Sequence, residues 1–217
     1  MDALIPNRFL IKPELALFHF ADAPPLNGDI AKWPDAAKLP ALCELDNQKP
    51  FADIYAGWND QGIYIGVSVR GRSVALSCDA SQFWKGDNVR VMTDMRDTRN
   101  IRRATRFCQH FFLLPASDDS RRPVAGGAKV QRATEESPIA SANDLVIGSK
   151  IRKDGYDLTA LLAADALNGF DPDENPRIGL FIIVEDLELG QQSLSVGDDM
   201  NWHVDPSVWP TAMLRRS

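Results

Sequence analysis

The sequence predicts an all-β protein, a single antiparallel β-sandwich of the jelly-roll or immunoglobulin-like kind. Three observations carry this. Hairpins can be read at residues 52–69 and 145–162, each with two-residue alternation on both sides of a turn that ends in glycine. The apolar run Ile178 to Val184 is strand-length, and uniform enough to be covered on both faces. Short strands with closely spaced turn signals, no internal repeat and no linker make one domain over residues 1–217 the natural reading.

Taken in order, Phe9 to Phe20 alternates loosely around Pro13, which suggests an edge strand or two short pieces. Asn27-Gly28 sets a tight reversal before Trp33, which is placed to plug one end of the core. In the first hairpin Ile54, Ala56 and Trp58 share one face, as do Ile63, Ile65, Val67 and Val69 after the turn Asn59–Gly62. Val89 to Asp94 and Phe107 to Leu114 read as strands, and Pro115 to Ala142, rich in Ser, Pro, Gly and charge, as a surface excursion. The second hairpin turns at Lys153-Asp154-Gly155, Ala163 to Leu167 makes a helical turn, and Thr211 to Arg215 closes the sheet.

Composition narrows the function classes. With 44% apolar and 25% charged residues, the chain is an ordinary folded one. A formal charge of −6 argues against a general nucleic-acid binder. No apolar run approaches the ~18–20 residues of a membrane-spanning helix, and Met1 to Arg8 has no leader pattern. As written the chain is expected in the cytoplasm, or outside it if the true start or parent chain lies upstream. Three cysteines, Cys43, Cys78 and Cys108, lack metal-like spacing and read as small core residues. No nucleophile elbow, phosphate-cradling glycine loop or zinc-protease pattern is present, so the expectation is a binding protein, not an enzyme.

Several stretches carry a resemblance. The Trp84-Lys85-Gly86-Asp87-Asn88-Val89 segment, the turn Asn201-Trp202-His203-Val204-Asp205-Pro206-Ser207 and the first hairpin are similar to parts of the family 9 carbohydrate-binding modules and the related DOMON sandwiches. The resemblance covers residues 27–215. It implies non-catalytic recognition of a saccharide in a cleft flanked by Trp84 and Trp202, because sugar C–H faces stack on indole rings while hydroxyls need polar partners. The chain departs from the family pattern at Arg90, where members have a Glu, and at Ile183, where they commonly have an amide. One more residue separates Trp202 from Asp205-Pro206. The competing reading of both tryptophans is as caps on the core.

Alternation puts Asn88, Arg90 and Met92 on one strand face. An Arg at a cleft floor suits an anion, so an acidic sugar would satisfy ring and guanidinium together; the alternative is pairing with Glu185 or Asp186. Asp87, Gln109, His110 and Glu185 complete the candidate polar contacts. The segment Arg96 to Arg106 could hold an anionic polymer, or be a solvated loop. Three histidines, His19, His110 and His203, leave a metal site from His110, His203 and an acid as an outside reading. Asp198-Asp199 is compatible with calcium. Some DOMON relatives hold haem through Met or His, and Met92, Met95, Met200 and Met213 supply thioethers. The principal expectation involves no cofactor and no metal; its competitor is a ligand-less protein-interaction domain of the same fold.

Overall fold

The computed structural model describes residues 6–117, 122–197 and 200–216. Among them no α-helix occurs, and no helix is long and apolar enough to cross a membrane. The strands are β1 (Glu14–His19), β2 (Ala52–Asn59), β3 (Gly62–Arg70), β4 (Asn88–Asp94), β5 (Cys108–Leu114), β6 (Val124–Ala128), β7 (Leu145–Arg152), β8 (Gly155–Ala163), β9 (Arg177–Asp186), β10 (Gly190–Ser193) and β11 (Thr211–Leu214). Short 3-10 turns and loops connect them.

The hairpins form where alternation and glycine place them. In β2–β3, Asn59 pairs with Gly62 across a two-residue turn, and Gly62 takes φ +138°, which a side chain would resist. In β7–β8, Arg152 pairs with Gly155, whose φ is +156°. Ile54, Ala56, Trp58, Ile63, Ile65, Val67 and Val69 all enter the main core. In β9, Ile178, Leu180, Ile182 and Val184 face that core, while Phe181 and Ile183 face a second cluster with Met92, Trp202 and Trp209. The strand is therefore covered on both faces, as its uniform apolarity requires.

The ladders run β6-β5-β4-β9-β11-β1-β2-β3-β8-β7 in one mixed sheet, with β10 paired to β9. Its end strands β6 and β7 approach each other, and Ser149 Oγ donates to the Pro115 carbonyl at 2.7 Å beside them, so the sheet is nearly closed. This differs from purely antiparallel layers at β1. Glu14 to Leu17 pair in parallel with β11, then Phe18 and His19 in parallel with β2, so this strand joins the two halves and is not at an edge. Pro13 is compatible with that place because it precedes the strand, and only its carbonyl is used, by Thr211 N.

Two strands escape the sequence reading. Strand β6, inside the expected surface excursion, has glycines at 126 and 127. A Cβ on Gly126 would lie 2.3 Å from Phe112 Cζ, so the bare backbone makes room for the Phe112 ring. Strand β10 is short and largely polar, and Gln192 ties it to β2: its Oε1 accepts from Phe51 N and Ala52 N, and its Nε2 donates to Ala52 O. Trp33 is buried with Phe20, Ile30 and Tyr64 over the outer face of β3, and all three cysteines are buried and unbridged.

Candidate ligand-binding site

The outward face of β4 and β5 forms the floor of the candidate site. Val89 and Val91 point into the main core, which leaves Arg90 on the other side, next to Phe112 of β5 and Ile183 of β9. On the same face of β5, His110 stands opposite Met92. The turn Phe83–Lys85, ahead of β4, supplies one wall, the chain leaving β6 a second, and Trp202-His203 a third. They enclose a cleft of about 540 Å³, in the range of small-molecule sites.

Trp84 is 51% exposed at the rim. Its position is fixed through Phe83, which meets it edge-on at 5.2 Å and stacks on Phe112 at 4.3 Å, 5° from parallel. Trp202 also lines the cleft but is 1% exposed. Phe181 stacks on it at 5.0 Å, and the Arg90 guanidinium lies 4.5 Å from its ring centroid. The Trp202 carbonyl accepts from Trp209 Nε1 at 2.7 Å. The two tryptophans thus differ in kind: one presents a ring to solvent, the other is packed beneath a guanidinium.

Arg90 pairs with Glu185 through Nη2 and Oε1, the alternative the sequence left open, while its Nε has no hydrogen-bond partner among the described residues. Glu185 also accepts from Asn88 Nδ2 at 3.0 Å and Gln191 Nε2 at 2.9 Å. His110 is 9% exposed, and burial pushes its pKa down to about 3, with Arg90 and His203 acting the same way. The ring hydrogen-bonds the Lys129 backbone, and Nε2 has no partner among the described residues. Neutral at ordinary pH, it offers that nitrogen as an acceptor.

Two expected contacts are corrected. Asp87 is 0% exposed and lies outside the cleft. Its Oδ2 accepts from Arg72 Nη2 at 3.0 Å and Ser77 N at 2.8 Å, and its Oδ1 from Arg72 Nη1 at 3.0 Å and Leu187 N at 2.8 Å. Both oxygens are used up in holding loops. Gln109 lies on the other side of β5 from His110. It accepts from Thr93 Oγ1 at 2.8 Å and donates to Ser137 Oγ at 3.2 Å, so its amide is committed to closing the end of the core. Trp84, Arg90, His110, Glu185 and Trp202 are brought together. Phe83, Lys129 and Gln131 join them unforeseen, and His203, which the sequence offered only beside His110 for a metal, lines the same cleft; Lys129 and Gln131 follow β6, the strand that the sequence conceals.

Among the described residues no group of three or more His, Cys, Asp or Glu is placed to hold a metal ion, and Asp198-Asp199 lies outside the described residues. Met92 and Met95 are buried, Met92 in the cluster around Trp202 and Met95 in the main core. The arginine-rich segment is engaged in part: Arg96 donates to Gly169 O at 2.7 Å and lies 4.2 Å from the Phe107 centroid, and Arg99 bonds Asp97, while Arg102, Arg103 and Arg106 are exposed.

No family model and no curated protein matches the sequence. Solved structures do. A family 9 carbohydrate-binding module from Caldicellulosiruptor kristjanssonii, in complex with cellotriose, superposes with a TM-score of 0.64 at 15% identity, over 94% of this chain and 95% of that one. A structure of a family 9 module from the same organism, in complex with glucose, gives 0.64 at 14% identity, over 94% and 97%. A Bacteroides uniformis protein assigned as carbohydrate-binding gives 0.56 at 12% identity, over 93% and 99%. At these identities the likeness speaks to fold. The chain has the fold of the family 9 carbohydrate-binding modules.

Proposed function

We propose that this protein is a non-catalytic module that binds a saccharide in the cleft beside Trp84. The observation that carries the reading is a half-exposed indole at the rim of a cleft whose floor holds a guanidinium, a carboxylate and a neutral imidazole acceptor. A sugar laid on Trp84 would bury C–H surface against the ring and turn hydroxyls toward Glu185, Arg90 and His110. Trp202 would act through Arg90, holding the guanidinium flat by a cation–π contact worth ~0.5–2 kcal/mol. That two structures of the same fold hold cellotriose and glucose supports this choice of ligand class.

Arg90 is also the ground for an acidic sugar. Its ion pair with Glu185 sets the terms, since an incoming carboxylate must compete with one already in place. Tryptophan fluorescence titrated with neutral and acidic sugars, on the native protein and on Trp84→Ala and Arg90→Ala, separates the cases. A saturable change lost in Trp84→Ala supports the reading, and selective loss of acidic sugars in Arg90→Ala supports the anionic ligand. Flat titrations across the panel favour the second reading, a protein-interaction domain of the same fold. The packing of Trp202 under Arg90 is the observation that favours it.

A further inference from the structure

The ladders bring two connections to the same end of the sheet. At the end of β4, Asp94 pairs with Cys108 of β5 and with Gly179 of β9. Strand β9 begins there, with Arg177 opposite Met213 of β11. Since β11, β1 and β2 run parallel, Asn59, Gly62 and Ala163 lie at that end too. The β4–β5 connection, residues 95–107, therefore shares an end face with the β8–β9 connection, residues 164–176. Their charges are opposite. The first holds five arginines and one aspartate, the second three aspartates, one glutamate and no basic residue. Arg102 and Arg103 are exposed and form no ion pair among the described residues, and the same is true of Asp165 and Glu174. Arg106 reaches only Glu135, at 3.9 Å, and Asp173 shares Arg216 with Asp60.

The two connections are fastened to each other along a seam. Asn168 Nδ2 donates to Arg106 O and Arg96 Nη1 to Gly169 O, each at 2.7 Å, and the partly buried rings of Phe107 and Phe170 lie beside these bonds. A Cβ on Gly169 would sit 2.7 Å from Phe107 Cδ1, so the approach is close. A polyanion drawn to the arginines would meet the acidic half next to them. The face is instead complementary to itself: a half-turn about an axis along the seam lays the basic half of one copy on the acidic half of another, as an isologous contact requires. Partly apolar residues then fall at the middle and charges at the rim, the ordinary anatomy of an interface. We propose that two copies of this chain pair through this end face about a two-fold axis, with Arg102 and Arg103 of each facing Asp165 and Glu174 of the other. The turn that carries Trp84 precedes β4, at the other end of that strand, and the proposal does not rest on the saccharide reading.

Sedimentation equilibrium of the intact protein at micromolar concentrations tests this. The expected result is a monomer–dimer equilibrium whose dissociation constant rises at least about tenfold from low to high salt, because the facing charges are screened. Arg102→Glu/Arg103→Glu and Asp165→Arg/Glu174→Arg should each be monomeric, since each sets like charges face to face. Mixed in equal amounts they should form a heterodimer, because reversed base then meets reversed acid at both contacts. Circular dichroism checks that both fold, and the single variants Arg103→Glu and Glu174→Arg replace a double variant that does not. A native protein that stays monomeric, or a dimer that a folded variant leaves intact, overturns the proposal. Folded variants that do not pair when mixed overturn it as well. A monomeric native protein retained on an acidic polysaccharide resin, and released by the arginine reversals, would assign the arginines to a polyanion instead.

Discussion

Removing Arg72 should cost far more than its distance from the cleft suggests. Its side chain is 3% exposed and lies between Asp87 and Asp186, each 0% exposed. Burial alone would lower the Arg72 pKa, but its hydrogen bonds to Asp186 and Asp87 outweigh that and raise it. In Arg72→Met the apolar stem is kept, and two buried carboxylates are left to repel each other. Breaking a buried charge pair by removing one partner costs ~3–5 kcal/mol, a large part of the ~5–15 kcal/mol by which a domain is stable. At ~2–4 °C per kcal/mol for a chain of this size, the melting temperature should fall by roughly 6–20 °C. The variant also acquires a pH signature. One of the two carboxyls must then hold its proton, so its folded pKa rises above the unfolded value of ~3.9. Stability from such a group is present below the unfolded pKa and lost as pH rises through the folded one. The gap between native and variant should therefore narrow as pH is lowered from 7 toward 4. Urea unfolding at pH 7, 5.5 and 4.5 measures this. A gap below ~1 kcal/mol at pH 7, or one that stays constant with pH, would refute the reasoning. Asp87→Ala should be milder, because Arg72 and Asp186 remain as a matched pair.

Further outcomes follow from the site and its supports. His110 has a folded pKa near 3 against ~6.5 unfolded, so the native protein should lose stability as pH falls below 6.5, by up to ~1.4 kcal/mol per unit from this group. His110→Gln lacks that contribution, and parallel stability–pH curves for the two proteins would contradict it. Gly126→Val drives a side chain into Phe112, which stacks on Phe83 behind Trp84. A loss of ~1–3 kcal/mol is expected, together with weaker saccharide binding; an unchanged melting temperature would count against the tight approach. The Tyr156 hydroxyl is buried without a hydrogen-bond partner among the described residues, and burial raises its pKa well above the usual value. Tyr156→Phe should be neutral or stabilising by about 1 kcal/mol, and a loss beyond that in chemical denaturation would show that the hydroxyl is satisfied.

What the sequence could say depended on whether a residue's neighbours in the chain decide its fate. The hairpins β2–β3 and β7–β8 were legible because Ile54 to Trp58 and Tyr156 to Leu162 alternate, and because Gly62 and Gly155 close their turns locally. Strand β6 was hidden, since Ala125, Gly126 and Gly127 have almost no side chains to alternate and become a strand by fitting around Phe112. The parallel neighbours of β1 come from distant parts of the chain, which no local pattern reports. In the site, alternation alone aims Arg90 and His110 outward, and by the same rule it turns Gln109 away, so that one strand could not deliver both. Asp87 was misread because type and position suited a ligand contact, while its burial depends on Arg72 and on the β9–β10 turn. The covering of Trp202 by Arg90 is a matter of packing that spacing does not encode.

The parallel pairing of β1 with β11 has a consequence for how the protein comes into being. Glu14 to Leu17 leaves the ribosome long before its partner, Thr211 to Leu214. Until Thr211 to Leu214 is free, β1 has only Phe18 and His19 paired, and among the described residues the half of the sheet built on β4 and β9 has no ladder to the half built on β2 and β3. Contacts so distant along the chain close slowly, so the sheet should be completed late, with β1 exposed while it waits. Chaperone dependence should accordingly persist at least until residue 214 has cleared the exit tunnel.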